Sequence, residues 1–343
     1  MINKSHSAFT PQTPSLFVIA SPLQLLCALE AIYEFKIEEY KIVFPYIEGK
    51  IRYQQVEKML VSYNLVYDKK IVTVSNSFVS KQFIRSLLSL KNNKYKRIFI
   101  GDNTNLLFSS IALKFLKAGG HVVYLDDGTK TLSYLKGESS PSVMRRIRNF
   151  INQFAYSTRF AEVNKYFFTL YNDIDTKKIV YPNVFANLGK TLSVKKNKSK
   201  VYFIGAVPDV YSDENLCGNE DIFREQFYNI LSSISKEYQE PIVYIPHGRD
   251  TSDYITRFCC EMGLEYTRLE EAVETYLVKS DFYPSEVYGF MSSALFNIRK
   301  MFNDAKIINY CMVSKKSVRY KTAVATSDYY SKHGIENRFI ILD

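Results

Sequence analysis

Short apolar runs alternate with helix-like segments along the chain, and this alternation limits the fold more than any other feature. In the first half, β-branched and aromatic runs predict buried strands at 15–20, 41–44, 70–74, 97–100, 121–125 and 165–170. Helices are predicted between them at 23–35, 52–63, 78–90 and 106–118. Strands that alternate with helices in this way are typical of a parallel, doubly wound α/β sheet.

A second series of the same kind follows residues 188–200, a lysine-rich stretch of small polar residues that we predict to be a linker. Its strands are predicted at 201–205, 241–246, 275–278 and 306–310, and its helices at 221–238, 253–262 and from 292 onward. A chain of 343 residues has room for two domains. We therefore expect an N-terminal domain over 1–190 and a C-terminal domain over 191–343.

The composition restricts the partners and the compartment. A net charge of +10 indicates an anionic partner, such as nucleic acid, a lipid surface or a phosphorylated small molecule. The five cysteines lack paired spacing, which argues against a disulfide framework or a zinc site and favours a reducing, cytoplasmic setting. No stretch is long and apolar enough to predict a transmembrane helix, and residues 1–13 do not resemble a signal peptide.

One segment, 141–156, has apolar residues at helical spacing with Arg145, Arg146 and Arg148 between them. The pattern predicts an amphipathic basic helix. Such a helix either lies on an anionic membrane surface or packs on the sheet with a solvated basic face. Both interpretations stay open at this point.

Two acidic residues follow the fifth predicted strand, in the sequence Asp126-Asp127-Gly128. In open α/β sheets, ligands bind outside the carboxyl ends of the strands, so a carboxylate there can act as a general base. Gly128 would let the backbone turn sharply and let a substrate approach closely. The alternative is an ordinary Asp-Gly turn with two solvated aspartates.

Of the four histidines, His247 alone follows a predicted strand of the second series, and Gly248 and Arg249 come next. An imidazole at a strand end can hydrogen-bond or protonate a phosphate leaving group. The alternative is a histidine that only stabilises a loop.

A serine pair, Ser292-Ser293, follows Gly289 and precedes an apolar helical run. Backbone N–H groups, the helix dipole and two hydroxyls would form a phosphate site there, although plain N-capping also explains the pair. The sequence contains neither a Walker motif nor a dinucleotide-binding glycine fingerprint. Asp126 and Asp127 lack the spacing and the neighbouring ligands of a metal site, so no metal is predicted. A carboxylate from one domain and a histidine and serine pair from the other suit group transfer from a nucleotide donor.

In their order along the chain, these motifs resemble those of the bacterial sialyltransferases. These are the lipooligosaccharide sialyltransferase and polysialyltransferase families with their marine and Pasteurella relatives. Asp126-Asp127-Gly128 matches their acid-acid-glycine motif and Ser292-Ser293 their serine motif. Ser21-Pro22-Leu23-Gln24 resembles the Thr-Pro-Leu-Gln that follows strand one in the lipooligosaccharide branch. Gly248 stands where these families usually have a proline after the histidine.

The resemblance implies a GT-B fold, with two Rossmann-like domains that face a cleft. It also implies metal-independent, inverting transfer from a CMP-activated nonulosonic acid to a sugar hydroxyl. The implied catalytic residues are His247, which assists CMP departure, and Asp127 or Asp126 as the base, with Asp127 favoured. The implied donor-binding residues are Glu274 (with Glu271 as runner-up), Ser292, Ser293, Gly248 and Arg249. The implied acceptor-binding residues are Gln24, Asp102 and Asn103.

The partners implied are CMP-sialic acid and a lipid-linked surface glycan, such as lipooligosaccharide, O-antigen or capsule, that ends in galactose. No cofactor is expected, and the enzyme would work in the cytoplasm or peripherally at the inner membrane. Another CMP-nonulosonic acid, legionaminic or pseudaminic acid, stays open as the donor. A basic nucleic-acid-binding protein is the alternative of another class, but the basic residues are scattered and match no nucleic-acid motif. The linkage and the choice between monomer and homodimer also stay open.

Overall fold

The computed structural model describes residues 13–46, 51–71, 74–75, 78–79, 95–102, 108, 112, 115–137, 163–191, 198–207, 220–250 and 252–342. The chain divides into two compact units, Met1–Lys190 and Thr191–Asp343. Each unit contains a parallel sheet with helices between its strands, which confirms the predicted fold class. Asn103 and the predicted basic helix with Arg145, Arg146 and Arg148 lie outside the described residues.

The first unit is built on a seven-stranded parallel sheet with the order β3-β2-β1-β6-β7-β8-β9. Its strands are β1 (Ser15–Val18), β2 (Tyr40–Tyr46), β3 (Tyr67–Ile71), β6 (Tyr95–Ile100), β7 (Leu116–Tyr124), β8 (Asn164–Thr169) and β9 (Ile179–Pro182). A separate antiparallel pair is formed by β4 (Val74–Ser75) and β5 (Phe78–Val79). The helices are α1 (Pro22–Glu34), α2 (Ile51–Ser62), α3 (Thr129–Leu135) and α4 (Ala186–Thr191).

The central strands of this sheet are apolar and buried, as expected for strands covered on both faces. Phe17 of β1 stacks on Phe99 of β6 with 4.3 Å between ring centroids, and both side chains are fully buried. Because β1, β6, β7 and β8 run parallel, their carboxyl ends lie along one edge of the sheet. The residues that follow these four strands are therefore neighbours at that edge.

The second unit is built on a six-stranded parallel sheet with the order β12-β11-β10-β13-β14-β15. Its strands are β10 (Lys198–Ile204), β11 (Val243–Ile245), β12 (Glu265–Tyr266), β13 (Phe282–Phe290), β14 (Lys306–Ser314) and β15 (Ile335–Leu342). Its helices are α5 (Glu220–Ser235), α6 (Asp253–Glu261), α7 (Val273–Lys279), α8 (Ser293–Met301) and α9 (Tyr320–Lys332).

An aromatic cluster supports one face of this second sheet. Almost fully buried rings contact one another in stacked, edge-on or tilted geometry: Phe203, Phe227, Tyr244 and Phe290. The strand order reverses at β10, which lies between β11 and β13. Ligands of doubly wound sheets bind beside the carboxyl ends of the strands at such a switch point. His247 after β11 and Ser292 after β13 flank that position.

Strand β7 begins earlier than the sequence pattern indicates. We predicted a helix over 106–118, but only 108, 112 and 115 are helical among its described residues, and the strand starts at Leu116. The register to β6 shifts between Tyr95 and Arg97, opposite Gly119 and Gly120. A side chain at Gly120 would come within 2.8 Å of the carbonyl oxygen of Lys96, so this bulge needs glycine. The Gly119-Gly120 pair is thus an irregularity within strand β7.

Other predictions of secondary structure were wrong. The strand predicted at 275–278 is helix α7, and the helix predicted from residue 78 begins as strand β5. The linker predicted at 188–200 is shorter, because α4 extends to Thr191 and β10 begins at Lys198. Elements that the sequence pattern did not reveal are β9, β12, β13, β15, α3, α4 and α9.

No helix in the described part of the chain is long and apolar enough to cross a membrane.

Candidate active site

Asp126 joins the carboxyl ends of two neighbouring strands. It follows β7 and is only 1% exposed. The Thr169 hydroxyl, at the end of β8, donates a hydrogen bond to Oδ1, and the Leu170 N–H donates to Oδ2 at 3.0 Å. Burial raises the pKa of Asp126 to about 7, and the charge of Asp127 contributes, although both hydrogen bonds lower the pKa. Both oxygens of Asp126 thus accept hydrogen bonds from the end of β8, which ties the loop after β7 to that strand.

Asp127 is the more accessible carboxylate of the pair, with a side chain that is 18% exposed. Its Oδ1 accepts a hydrogen bond from Gln24 Nε2 and its Oδ2 one from Lys130 Nζ, both at 2.9 Å. Its backbone N–H donates to Thr131 Oγ1 at 2.9 Å. Burial raises the pKa of Asp127 and Asp102 raises it further, while Lys130 and Gln24 oppose the increase. A partly desolvated carboxylate at a strand end has the character of a general base.

The turn after the acid pair brings Lys130 to the carboxylate. Gly128 has φ 68°, a conformation that favours glycine, and helix α3 starts at the next residue. Lys130, in the first turn of α3, lies 3.7 Å from the carboxylate of Asp102 as well as beside Asp127. Burial lowers the pKa of Lys130, but the two aspartates outweigh it and raise the pKa overall. The structure therefore brings predicted residue Asp102 into the same charged group as Asp127.

Gln24 reaches the acid pair from helix α1. Ser21 caps this helix by accepting a hydrogen bond from the Gln24 N–H at 3.3 Å, and Pro22 occupies its first position, where a missing N–H costs nothing. The Gln24 side chain is 3% exposed, and its Oε1 accepts the Ala20 N–H at 2.8 Å. Ser21-Pro22-Leu23-Gln24 is thus a helix start that delivers one amide to Asp127.

In the second unit, His247 is held in one tautomer by its own turn. The Asp250 N–H donates to the His247 carbonyl oxygen at 2.8 Å, and the Arg249 N–H donates to His247 Nδ1 at 3.1 Å. Because Nδ1 accepts, we assign the proton of the neutral ring to Nε2. Burial lowers the pKa of His247 to about 4, and the Arg249 charge contributes, so the ring is neutral near pH 7.

The serine pair occupies a fixed helix start. Ser292 is the N-cap of α8, and its Oγ accepts the Ala294 N–H at 3.2 Å. Met291 has φ 35°, and its N–H donates to Asn309 Oδ1 at 2.6 Å. The Tyr330 hydroxyl donates to the Ser292 carbonyl oxygen at 3.1 Å. The N-capping interpretation is therefore realised at Ser292, while its hydroxyl hydrogen and that of Ser293 stay able to donate to an anion.

Glu274 lies in the first turn of helix α7 and is 4% exposed. Asn297 Nδ2, from α8, donates to its Oε1 at 2.6 Å. Burial raises the pKa of Glu274, and this hydrogen bond opposes the increase. The runner-up Glu271 pairs instead with Lys279 at 2.7 Å near the surface.

No local sequence pattern indicated several residues that contact the predicted site residues in each unit. These are Thr169, Lys130, Thr131, Asn297, Asn309 and Tyr330. Each of them either contacts a residue of a different helix or strand or belongs to no recognised motif. Only the fold brings them to the predicted residues.

Comparison with known proteins identifies the fold but matches no sequence family. No protein-family model and no curated protein sequence matches the chain. The solved structure of an α/β-galactoside α-2,3-sialyltransferase from Photobacterium phosphoreum is similar over 96% of this chain and 99% of that chain, with a TM-score of 0.54 and 12% identity. A putative UDP-N-acetylglucosamine 2-epimerase from Listeria monocytogenes is similar over 95% and 90%, with a TM-score of 0.51 and 10% identity. The chain has the GT-B fold that these structures share.

Proposed function

We propose that the chain is an inverting sialyltransferase that moves sialic acid from CMP-sialic acid to a sugar hydroxyl without a metal ion. The observation that carries this proposal is the Asp127 carboxylate, which stands at a strand end and is held by Gln24 and Lys130. The order of the acid, histidine and serine motifs supports the choice of donor. The shared fold is compatible with this function but is also the fold of a putative epimerase, so the support for a transferase comes from the motifs.

In the proposed reaction, Asp127 removes the proton from the acceptor hydroxyl while that oxygen attacks the anomeric carbon of the donor. The bond between the anomeric carbon and the phosphate oxygen breaks, and CMP leaves with the electron pair. Attack from the face opposite to the leaving group inverts the anomeric configuration. Asp126 holds the loop that carries Asp127 by its bonds to Thr169 and Leu170.

The second unit would bind the nucleotide. His247 Nε2–H donates to the phosphate oxygen that gains charge as CMP leaves, which stabilises the leaving group without full proton transfer. The N-terminal amides of α8 and the hydroxyls of Ser292 and Ser293 bind the phosphate. Glu274 accepts hydrogen bonds from the ribose hydroxyls, and Gly248 and Arg249 complete the donor site.

The acceptor assignment rests on the resemblance and on charge. A terminal galactose of a lipid-linked surface glycan is the acceptor that the motif resemblance implies. A net charge of +10 suits an enzyme that works beside an anionic membrane surface. Asp102 would contact the acceptor near Asp127.

A donor panel tests the proposal. The protein is incubated in EDTA with labelled galactosides and, separately, with CMP-sialic acid, CMP-legionaminic acid, CMP-pseudaminic acid, UDP-N-acetylglucosamine or UDP-galactose. We expect a sialylated galactoside from CMP-sialic acid. Use of another CMP-nonulosonic acid would change the donor, and transfer from or epimerisation of a UDP-sugar would contradict the proposal. Loss of transfer in EDTA would contradict metal independence.

A further inference from the structure

The amide of Gln24 has one permitted orientation. The Ala20 N–H, which can only donate, faces the carbonyl oxygen Oε1 at 2.8 Å. The NH₂ group must therefore face Asp127 Oδ1, which can only accept when it is ionised, at 2.9 Å. Gln24 is thus a dedicated donor to the carboxylate, from a side chain that is 3% exposed.

Gly101, at the end of strand β6, leaves the space in which this amide lies. A Cβ atom at residue 101 would come within 2.2 Å of both Cδ and Oε1 of Gln24. The Gly101 N–H donates to the Val18 carbonyl oxygen at 3.0 Å, which fixes the backbone at that position. Any side chain at residue 101 would therefore push the Gln24 amide away from Asp127.

The two donors to Asp127 differ in character. The side chain of Lys130, which binds Oδ2, is 60% exposed, so its charge is screened by salt and it can be displaced. Gln24 is neutral and buried, so its bond to Oδ1 depends on neither salt nor substrate. Among the described residues, Asp102 after β6 also acts on both Asp127 and Lys130, and Arg52 of α2 acts on Lys130. The charge of Asp127 in turn raises the pKa of Asp126 on the same loop.

We propose that Gln24 is a positioning residue for the base Asp127. Because its buried hydrogen bond occupies Oδ1, Oδ2 is the oxygen that receives the proton of the acceptor hydroxyl. This inference rests on the proposed function, in which Asp127 is the base. It gives Gln24 a role other than the acceptor contact implied by the motif resemblance. Gly101 supports the same role, because its lack of a side chain leaves space for the Gln24 amide.

The first test measures the charge of Asp127 without any substrate. Protein labelled with ¹³C at the aspartate carboxyl carbons is titrated by NMR, and the Asp127→Asn variant identifies the signal. In Gln24→Glu, the carboxylate still accepts the Ala20 N–H but repels Asp127, so the titration midpoint of Asp127 rises. In Gln24→Met the donor is lost, and the midpoint also rises. A midpoint equal to that of the wild type in both variants would overturn the proposal.

A matched control separates this effect from simple loosening of the loop. Thr131→Val removes the acceptor of the Asp127 backbone N–H but leaves the carboxylate and its two donors in place. We expect its Asp127 midpoint to equal that of the wild type. A shift as large as that in Gln24→Met would mean that any disturbance of the loop moves the midpoint, and this would overturn the specific role of Gln24.

The second test uses catalysis. In Gln24→Met and Gly101→Ala, we expect the acidic limb of the pH profile of kcat/KM to move to higher pH. The value of kcat/KM at pH 6 should fall about tenfold or more, because a hydrogen bond to a charged group contributes a factor of that size. An unchanged limb in both variants would overturn the proposal. If the wild type transfers no sugar, the proposed function fails, while the NMR titration still decides the role of Gln24.

Discussion

Asn297 donates a hydrogen bond to the carboxylate of Glu274 at 2.6 Å, and both side chains are almost fully buried. Asn297 belongs to helix α8, whose first residues are the proposed phosphate ligands, and Glu274 belongs to α7. This contact therefore joins the residue proposed for the ribose to the helix proposed for the phosphate.

Removal of Glu274 should weaken CMP binding. Charge-assisted hydrogen bonds contribute about 1.5–3 kcal/mol each, so Glu274→Ala should lower CMP affinity by about one to two decades. In Asn297→Leu the pKa of Glu274 should rise further, because the opposing hydrogen bond is lost. CMP affinity in that variant should then increase from pH 6 to pH 8 more steeply than in the wild type. Calorimetric titration with CMP measures both effects.

Glu271→Ala is the matched control, because Glu271 pairs with Lys279 near the surface. We expect wild-type CMP affinity from it. Wild-type affinity in Glu274→Ala together with weak binding in Glu271→Ala would exchange the roles of the two glutamates.

The serine pair should contribute to phosphate binding beyond its capping role. The Ser292→Ala, Ser293→Ala double variant should bind CMP about tenfold or more weakly but bind cytidine, which has no phosphate, like the wild type. Tyr330→Phe removes the bond to the Ser292 carbonyl oxygen and leaves both hydroxyls in place, so it reports the effect of loosening the helix start. Equal losses for CMP and cytidine in the double variant would contradict a phosphate role.

His247 should act as a neutral hydrogen-bond donor. Because burial lowers its pKa to about 4, the ring should carry no charge between pH 5.5 and pH 8, and ¹⁵N NMR should show Nδ1 unprotonated. His247→Ala should lower kcat by about 10²–10³-fold, the range for loss of one donor to a developing anion. His247→Gln, which can place an N–H near the same point, should retain more turnover. A ring that titrates near pH 7 would contradict this assignment.

Asp126 should make the stability of the protein depend on pH. Its pKa in the folded protein is about 7, against an ordinary value of 3.8, so the folded state keeps a proton that the unfolded chain has lost. The free energy of unfolding should therefore fall as the pH rises from about 4 to about 7, by at most about 1.4 kcal/mol per pH unit. Urea unfolding followed by circular dichroism measures this slope.

The Asp126→Asn variant isolates that contribution. Its amide can accept from the Leu170 N–H and donate to the Thr169 oxygen, so the loop contacts are kept. We expect a smaller fall in unfolding free energy between pH 4 and pH 7 than in the wild type. The same slope in both proteins would show that other groups cause the dependence.

Local patterns predicted the elements whose apolar residues are continuous. The run at 121–125 and the β11 run were identified because strands of a parallel sheet are buried on both faces. Helix α7 was missed because Glu274 and Thr275 lie on its buried side with Leu277 and Val278, and these polar residues conceal the helical spacing. Strand β13 was missed because it contains Ser285 and Glu286.

In the candidate site too, some residues could be proposed from local sequence patterns and others could not. Asp127, His247 and the serine pair were proposed from the sequence because each stands at the boundary of a predicted element, whereas Glu274 was proposed only through the motif resemblance. Gln24 and Asp127 are 103 residues apart, and their hydrogen bond depends on the parallel order of β1, β6 and β7. No local pattern predicts which side chains such an arrangement brings to a carboxylate.

The most direct test of the central claim follows both products of the proposed reaction at once. Wild-type protein and Asp127→Asn are incubated in EDTA with CMP-sialic acid and a labelled galactoside, and CMP and sialylated galactoside are quantified over time. We predict that the wild type forms the two products in equal amounts with inverted anomeric configuration, and that Asp127→Asn is slower by about 10²–10⁴-fold. Equal rates in the two proteins, or no sialylated product from the wild type, would contradict the assignment.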